Sequence, residues 1–428
     1  MFAQRVSFTP ESSAEVLSGV PAACGVFALE FGADSEPYIA KAADLRRRMV
    51  RLLSPPENQS KRLNLRERVR SVSFSVTGSE FESLLLLYRV SAEAFGARAQ
   101  QRLRLFAPMC LRMTVENAYP RVYVTNRVAV KDFGCTFGPF QSRNAAERYL
   151  DAVLDLFFLR RCHEELHPDP AFPGCIYSEM KKCLAPCFKG CSDERYAEEA
   201  RGVEAFLATR GGSMLESLSK KRDAASAEME FERAAEIHQQ IERVKEAAGL
   251  AAEIVRRLSE LDALVVMPSA AEASVTLFVV RAGMIGKAVE FSVAGMRHPN
   301  EKSGSSSLFA HPAMMEAVPL DAEPVVAVAT ASRTELEERL QEAIVKGEAR
   351  GEKVSAADRA AHLALLKRWY YRPAVRRVGE IFFRDEDGEW PMQRVLRGVS
   401  RVYVTDKAVA PRRLAFGTQP GVDTLDNT

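Results

Sequence analysis

The chain has 428 residues, with 59 Lys and Arg against 57 Asp and Glu, a formal charge of +2. An apolar fraction of 47% beside 27% charged residues excludes global disorder and fibrous or collagen-like composition. No run approaches the ~18 uninterrupted apolar residues of a membrane span, and the opening MFAQRVSFTPESS has no hydrophobic run before a cleavage site. A cytoplasmic protein of roughly two to four domains is expected.

The first segment, to about residue 105, alternates strand and helix signals. Gly25 to Phe31 reads as a strand, Gly32 to Pro37 as a hairpin turn, Tyr38 to Ala40 as the returning strand and Lys41 to Leu53 as a helix. A second helix follows the strand Ser71 to Val76, because Ser79 to Val90 is too long and too Leu-rich for a strand between turns. Charge is uneven here. Between Leu45 and Arg70 stand nine basic residues (Arg46, Arg47, Arg48, Arg51, Lys61, Arg62, Arg66, Arg68, Arg70) against Glu57 and Glu67. Such a patch suits phosphate contacts made by counterion release; a solvated helix face with a basic loop is the alternative.

From about 106 to 195 the chain turns to strands, at Tyr119 to Thr125 and Phe137 to Phe140, with a helix over Asn144 to Leu159. A cysteine cluster follows. Cys162, Cys175, Cys183 and Cys187 are spaced C-x12-C-x7-C-x3-C, half of the eight cysteines within 26 residues. Four thiolates suit tetrahedral zinc or an iron–sulfur cluster; four buried free thiols are the other reading, and Cys191 is a possible substitute ligand. Cys24, Cys110 and Cys135 are scattered and read as small apolar residues.

From Tyr196 to about Leu258 the pattern is helical. Arg210 to Ser213 interrupts it, and Ser213 with Glu216 reads as a capping box that opens the next helix. Phe231, Ala234, Ala235, His238, Ile241 and Val244 recur at three- and four-residue steps, one narrow apolar stripe on a helix joined to its predecessor by almost no loop. The two form an αα-hairpin, packed within the molecule or offered to a partner. After Leu261 come short strands (Ala263 to Met267, Val275 to Val280, Val289 to Val293), two helices (Arg333 to Val345, Ala356 to Tyr371) and a tail. Arg121 to Arg127 and Arg401 to Lys407 read as one strand pattern used twice, and Asp385 to Asp387 as an acidic turn.

Taken in order, these segments resemble the UvrC family of bacterial nucleotide excision repair nucleases and its shorter GIY-YIG relatives. Gly25-Val-Phe27 and Tyr38-Ile-Ala, followed by Lys41 to Arg48, look like the GIY and YIG elements with their helix. Tyr119-Pro-Arg-Val and Phe137 to Ser142 resemble the family's linker, and Cys183-Leu-Ala-Pro-Cys187 its cysteine-rich segment, which holds a 4Fe-4S cluster in some members. Phe231-Glu-Arg-Ala-Ala235 with Ile241 looks like the UVR motif that engages UvrB.

The resemblance implies an α+β multidomain chain: a GIY-YIG-like α/β module over 15–105, a linker and metal-stapled cysteine-rich segment over 106–195, a helical UVR hairpin over 196–258, a C-terminal α/β remnant over 259–383 and a tail over 384–428. It implies DNA contacts at Lys41, Arg46, Arg47, Arg51, Lys61 and Arg62, a 4Fe-4S cluster or zinc on Cys162, Cys175, Cys183 and Cys187, and a UvrB-type partner on Phe231, Ala234, Ala235 and Ile241.

Catalysis departs from the family pattern, in which two tyrosines, an arginine and a metal-binding glutamate hydrolyse a phosphodiester on the 3′ side of a lesion. Tyr38 and Arg48 match, but Phe27 replaces the first tyrosine, Ala40 the glycine, and Leu87 stands where the carboxylate for Mg²⁺ or Mn²⁺ belongs. Glu82 points to a different helix face, and Glu80 shares the face about 10 Å away along the axis. No asparagine occurs between Asn64 and Asn117, and only 45 residues follow Phe383, where complete relatives continue into an RNase H-like domain. A DNA-binding repair protein without its own incision is expected; an active 3′-incising endonuclease and a general nucleic-acid binder are the alternatives.

Overall fold

A computed structural model of the chain describes residues 2–32, 35–55, 63–296, 331–348, 355–385 and 387–415. The first sheet is antiparallel in the order β1 (Gln4–Ser7), β4 (Ser71–Val76), β2 (Gly25–Glu30), β3 (Tyr38–Ala42). Between β1 and β2 runs α1 (Ser13–Gly19), and after β3 comes α2 (Leu45–Leu53). Strand β3 takes in the Lys41 expected in the helix, because Asp44 caps α2 by accepting from the Arg47 backbone N–H at 2.8 Å. Leu45, Met49, Leu52 and Leu53 form the buried stripe of α2 against Phe27, Leu29, Val72 and Phe74, which turns Arg46, Arg47 and Arg51 to solvent. Burying each such side chain contributes about 2 kcal/mol. Gly25 is needed where it stands: a Cβ there would lie 2.3 Å from the Ser75 carbonyl oxygen and 2.7 Å from Leu45.

Ser79 opens α3 (Glu80–Phe95) by accepting from the Glu82 backbone N–H at 3.1 Å. A short α4 (Arg98–Arg102) leads to the second sheet, ordered β6 (Val122–Thr125), β5 (Met109–Met113), β7 (Thr136–Phe140), β8 (Arg256–Arg257), all antiparallel. Ser142 caps α5 (Arg143–Leu154), which ends before the expected Leu159. After the one-turn α6 (Ile176–Glu179) come α7 (Asp193–Thr209), α8 (Gly212–Ala227) and α9 (Phe231–Gly249). The expected capping box at Ser213 does not form. Gly211, at φ 86°, turns the chain, and the Ser213 N–H donates to Thr209 Oγ1 at 3.0 Å. Helices α8 and α9 pack as the expected hairpin.

The third sheet is antiparallel in the order β11 (Met284–Ser292), β10 (Ser274–Arg281), β9 (Ala263–Pro268), β12 (Glu380–Phe383). The near-continuous apolar run of β9 is explained by burial of both faces. Val265 and Met267 join the large core shared with α3, α5, α7, α9 and α11 (Ala356–Tyr370), whereas Leu264 and Val266 face α10 (Arg333–Gly347) and α12 (Met392–Ala415).

Two expectations are corrected here. The segment read as a tail contains α12, and Arg401 to Thr405 is helical rather than a second strand. Val395, Val399, Val402 and Tyr403 fall on one helical stripe and cover the sheet, which overrides the strand preference of Val-Tyr-Val. The fold is thus α+β with several sheets and a helical region. No helix among the described residues is long and apolar enough to cross a membrane. Lys61, Arg62 and Glu386 lie outside the described residues.

Candidate functional site

Strand β3 and helix α2 bring Tyr38 and Arg48 together. Arg48 Nη2 donates to the Tyr38 hydroxyl at 3.0 Å, across a gap of ten residues. Phe27, opposite Ala40 in the β2–β3 ladder, lies with its ring 6.1 Å from that of Tyr38 and is fully buried in the module's core. The position supplies packing and no hydroxyl.

Helix α3 uses several faces. Glu80 and Ser83 face the first sheet: Glu80 accepts from Lys41 Nζ at 2.5 Å, and Ser83 Oγ lies 3.4 Å from Cys24 Sγ. Leu87, four residues after Ser83 and seven after Glu80, shares that stripe and is buried. The opposite side carries Phe81 against Phe278 and Trp369, and Tyr88, whose hydroxyl donates to Asp358 at 2.6 Å. Glu80 also accepts from Arg372 Nη1 at 2.8 Å, and this bond, with Lys41, draws its carboxyl down to about 2. A carboxylate held by two cations has little capacity left for a metal ion. Glu82 accepts from the Gly78 N–H at 2.8 Å; its pKa is raised by burial first and by Glu290 last, which places the carboxyl beside the third sheet.

The basic residues divide. Arg47 and Arg51 are exposed on α2, and Lys41 is exposed beside Glu80. Arg46 is spent on structure: its Nε donates to the Val20 carbonyl at 2.6 Å and its Nη2 to that of Ser18 at 3.2 Å, closing the C-terminal end of α1. Arg66 likewise donates to the Pro10 carbonyl at 2.6 Å.

The cysteine segment is a loop with three non-glycine residues in the left-handed region, Lys181 at φ 53° before Cys183, and Ala185 at φ 55° and Lys189 at φ 57° flanking Cys187. Each costs about 1 kcal/mol. Burial pushes the Cys183 thiol up to about 11, with Cys162, Cys175 and Cys187 adding to the rise; Cys187 is raised by burial and then by Cys175. These influences put the four thiols in one neighbourhood of the loop. Cys191 is raised by burial and then Asp193, with Cys187 the one sulfur of the four that acts on it. The buried Arg160 donates to Cys162 Sγ at 3.6 Å and to the Tyr119 and Glu164 carbonyls at 2.9 Å each. Four soft donors with a cation at one of them suit a thiolate-bound metal or cluster. Among the described residues, however, no group of three or more His, Cys, Asp or Glu side chains stands at metal-holding separations.

On the hairpin the apolar stripe divides in two. Ile241, Val244 and Ala247 are buried in the chain's own core, so Ile241 is not presented to a partner. Phe231 is 67% exposed and Met229 76%, with Ala235 exposed and Ala234 half-buried between them and the core. Sequence reasoning missed Arg372 altogether. It also missed a polar cleft of about 490 Å³ lined by Tyr119, Arg121, Tyr123, Arg160 and His163, in which Arg121 stacks 4.8 Å over Tyr123. The interleaved Arg and Tyr of 119–123 were a usable signal for that cleft.

Comparison with known proteins agrees with the order of the segments. Residues 109–206 match the family described as UvrC/Cho excinuclease, middle domain, and residues 212–247 match the UvrB/uvrC motif. The UvrABC system protein C of Alkalilimnicola ehrlichii is 27% identical over 286 residues, 64% of this chain and 44% of that protein. Those of Histophilus somni (28% over 249 residues, 58% and 40%) and Symbiobacterium thermophilum (29% over 263 residues, 60% and 41%) are similar. The matches span less than half the length of these relatives. No solved structure matches the chain. Residues 109–206 are thus similar to a UvrC middle domain and residues 212–247 to a UVR motif, in the order that the resemblance read from the residues implied.

Proposed function

We propose that the chain is a UvrC-like nucleotide excision repair protein that binds DNA through its N-terminal module and a UvrB-type partner through α8–α9, without making an incision of its own. The observation that carries this reading is the state of Glu80, whose carboxylate is held between Lys41 and Arg372 while Leu87 occupies the stripe facing the first sheet. The module over 15–105 is read as a GIY-YIG remnant. Phosphodiester hydrolysis of that type needs a group to activate or position water, a cation for the charge developing on phosphorus and a metal-held leaving oxygen. Arg48 and Tyr38 can still clamp a phosphate; Phe27 and Leu87 supply neither proton transfer nor a metal ligand.

The exposed Phe231 and Met229 support a docking tip at the start of α9, which suits a partner's helical hairpin. The C-x12-C-x7-C-x3-C spacing of Cys162, Cys175, Cys183 and Cys187 supports a metal staple in the linker, a 4Fe-4S cluster or zinc. The group would hold the ends of this loop together through those four sulfurs, with Arg160 offsetting thiolate charge. The experiment is incision of a lesion-bearing duplex with Mg²⁺ or Mn²⁺ in the presence of UvrA and UvrB: the duplex is expected to be bound and left uncut. Robust 3′ incision would favour the active endonuclease, and the Tyr38–Arg48 contact is where it would act.

A further inference from the structure

Between Asp358 and Glu380 the chain carries Arg359, Lys367, Arg368, Arg372, Arg376 and Arg377 and no carboxylate. The second half of this run leaves α11 and closes into one short turn. Pro373 sets it, its carbonyl accepting from the Arg376 N–H at 2.8 Å and the Arg377 N–H at 3.0 Å. The turn is held from beneath by aromatic residues. Trp369 Nε1 donates to the Val378 carbonyl at 2.9 Å, the Tyr371 hydroxyl to the Pro139 carbonyl at 3.0 Å, and Arg377 Nη1 to the Tyr370 carbonyl at 3.0 Å. What this frame presents outward is Arg368, Arg376 and, at the tip, Val375 with 99% of its surface exposed. A hydrogen-bonded turn displaying two cations and one apolar side chain is poorly explained by folding, since the three are exposed.

The surroundings of the turn are also cationic. Arg377 lies 5.3 Å over the Tyr370 ring, and Arg377 and Arg210 both act electrostatically on that tyrosine, with Glu253 the one carboxylate doing so. Burial first, and then Arg210, lower the pKa of the Arg256 guanidinium, and the buried Arg210 Nε has no hydrogen-bond partner among the described residues. Like charges near one another cost free energy unless an anion offsets them, and here Glu253, 4.0 Å from Arg256, offsets one of them. At the other end of the turn, Arg372 meets Glu80 and Lys41, two cations for one carboxylate, beside the module that holds Tyr38 and Arg48.

We propose that the Arg368–Arg377 turn is a second DNA-binding surface, a ledge that takes the sugar-phosphate backbone of a duplex leaving the N-terminal module and carries it toward Arg256 and Arg210. Arg368 and Arg376 each neutralise a phosphate, and Val375 lies against the groove edge between them. Binding there is independent of sequence, because phosphate contacts position a duplex without reading it. This rests on the DNA-binding reading above.

The test measures affinity of the full chain for a fluorescently labelled duplex across a salt series, comparing the unaltered protein, the double variant Arg368→Ala/Arg376→Ala and, as a control for the N-terminal path, Arg47→Ala/Arg51→Ala. Both altered pairs are exposed, and unchanged thermal unfolding midpoints verify that the fold is intact. The ledge variant is expected to bind about tenfold more weakly or worse near 0.1 M salt, with the slope of log K against log salt shallower by about 2, the loss of two phosphate contacts. Unchanged affinity and slope in the ledge variant, with the control variant weakened, would overturn the ledge and leave DNA binding by the module standing. Failure of the unaltered protein to bind duplex would overturn the DNA-binding reading and the ledge with it.

Discussion

Arg372 donates to the carboxylate of Glu80 at 2.8 Å although 292 residues separate them in the chain. This contact joins the third-sheet region to the N-terminal module, and Lys41 completes it from β3. Its strength is limited by solvent, since the Glu80 side chain is 47% exposed. Replacing Glu80 by Gln should cost about 1 kcal/mol or less at neutral pH, read as a shift in the denaturation midpoint. Because the folded carboxyl is drawn down to about 2 from an ordinary 4.5, this contribution is present above pH 4.5 and lost as pH falls toward 2. The Glu80→Gln variant should therefore converge on the unaltered protein in acid.

Acid sensitivity should begin earlier, at His362. Burial first, and then Arg89, push its imidazole down to about 4 from an ordinary 6.5, and its Nδ1 accepts from the Ile285 N–H at 3.0 Å. The unfolded chain takes up a proton below pH 6.5 that the folded chain refuses until about pH 4. Stability is thus full above pH 6.5 and declines by up to about 3 kcal/mol as pH falls to 4. His362→Gln keeps an acceptor and removes the titration. Its urea midpoint should fall less steeply between pH 6.5 and 4; an identical slope would count against the assignment.

The hairpin makes two separable predictions. Phe231→Ala removes an exposed side chain, so it should change stability by less than about 0.5 kcal/mol while weakening capture of UvrB. Ile241→Ala opens a cavity in the chain's own core and should cost about 2–4 kcal/mol, seen as a lowered unfolding midpoint. Equal capture by the Phe231→Ala variant would count against a docking tip.

How much of this could be read from residues alone varied with the distance between partners. Tyr38 and Arg48 are ten residues apart on adjoining elements, and the resemblance of those elements to the GIY-YIG pattern was enough to single out both. Arg372 was not legible, because nothing local in Tyr371-Arg372-Pro373 points to a carboxylate near the chain's start. Periodicity found the apolar stripe of α9 but could not say where the chain's own core ends and free surface begins, which only packing decides. In α12, Val-Tyr-Val favours a strand locally, and the uncovered face of the third sheet outweighs that preference.

For the cysteine segment, anaerobic purification followed by metal analysis and absorption spectroscopy is the check. Iron with inorganic sulfide and broad visible absorption is expected for a 4Fe-4S cluster, zinc without colour for the alternative. Cys183→Ser or Cys187→Ser should lower metal content in either case. Protein in which Cys162, Cys175, Cys183 and Cys187 are all free thiols and no metal is bound would rule the staple out.

The central claim is that the N-terminal module holds DNA without cutting it, and incision of a site-specifically damaged duplex tests it most directly. With UvrA, UvrB and Mg²⁺ or Mn²⁺ present, addition of this protein should produce no 3′ nick above the level of the partners alone, with the duplex still bound. A robust 3′ incision that disappears on Tyr38→Phe or Arg48→Ala would contradict the account.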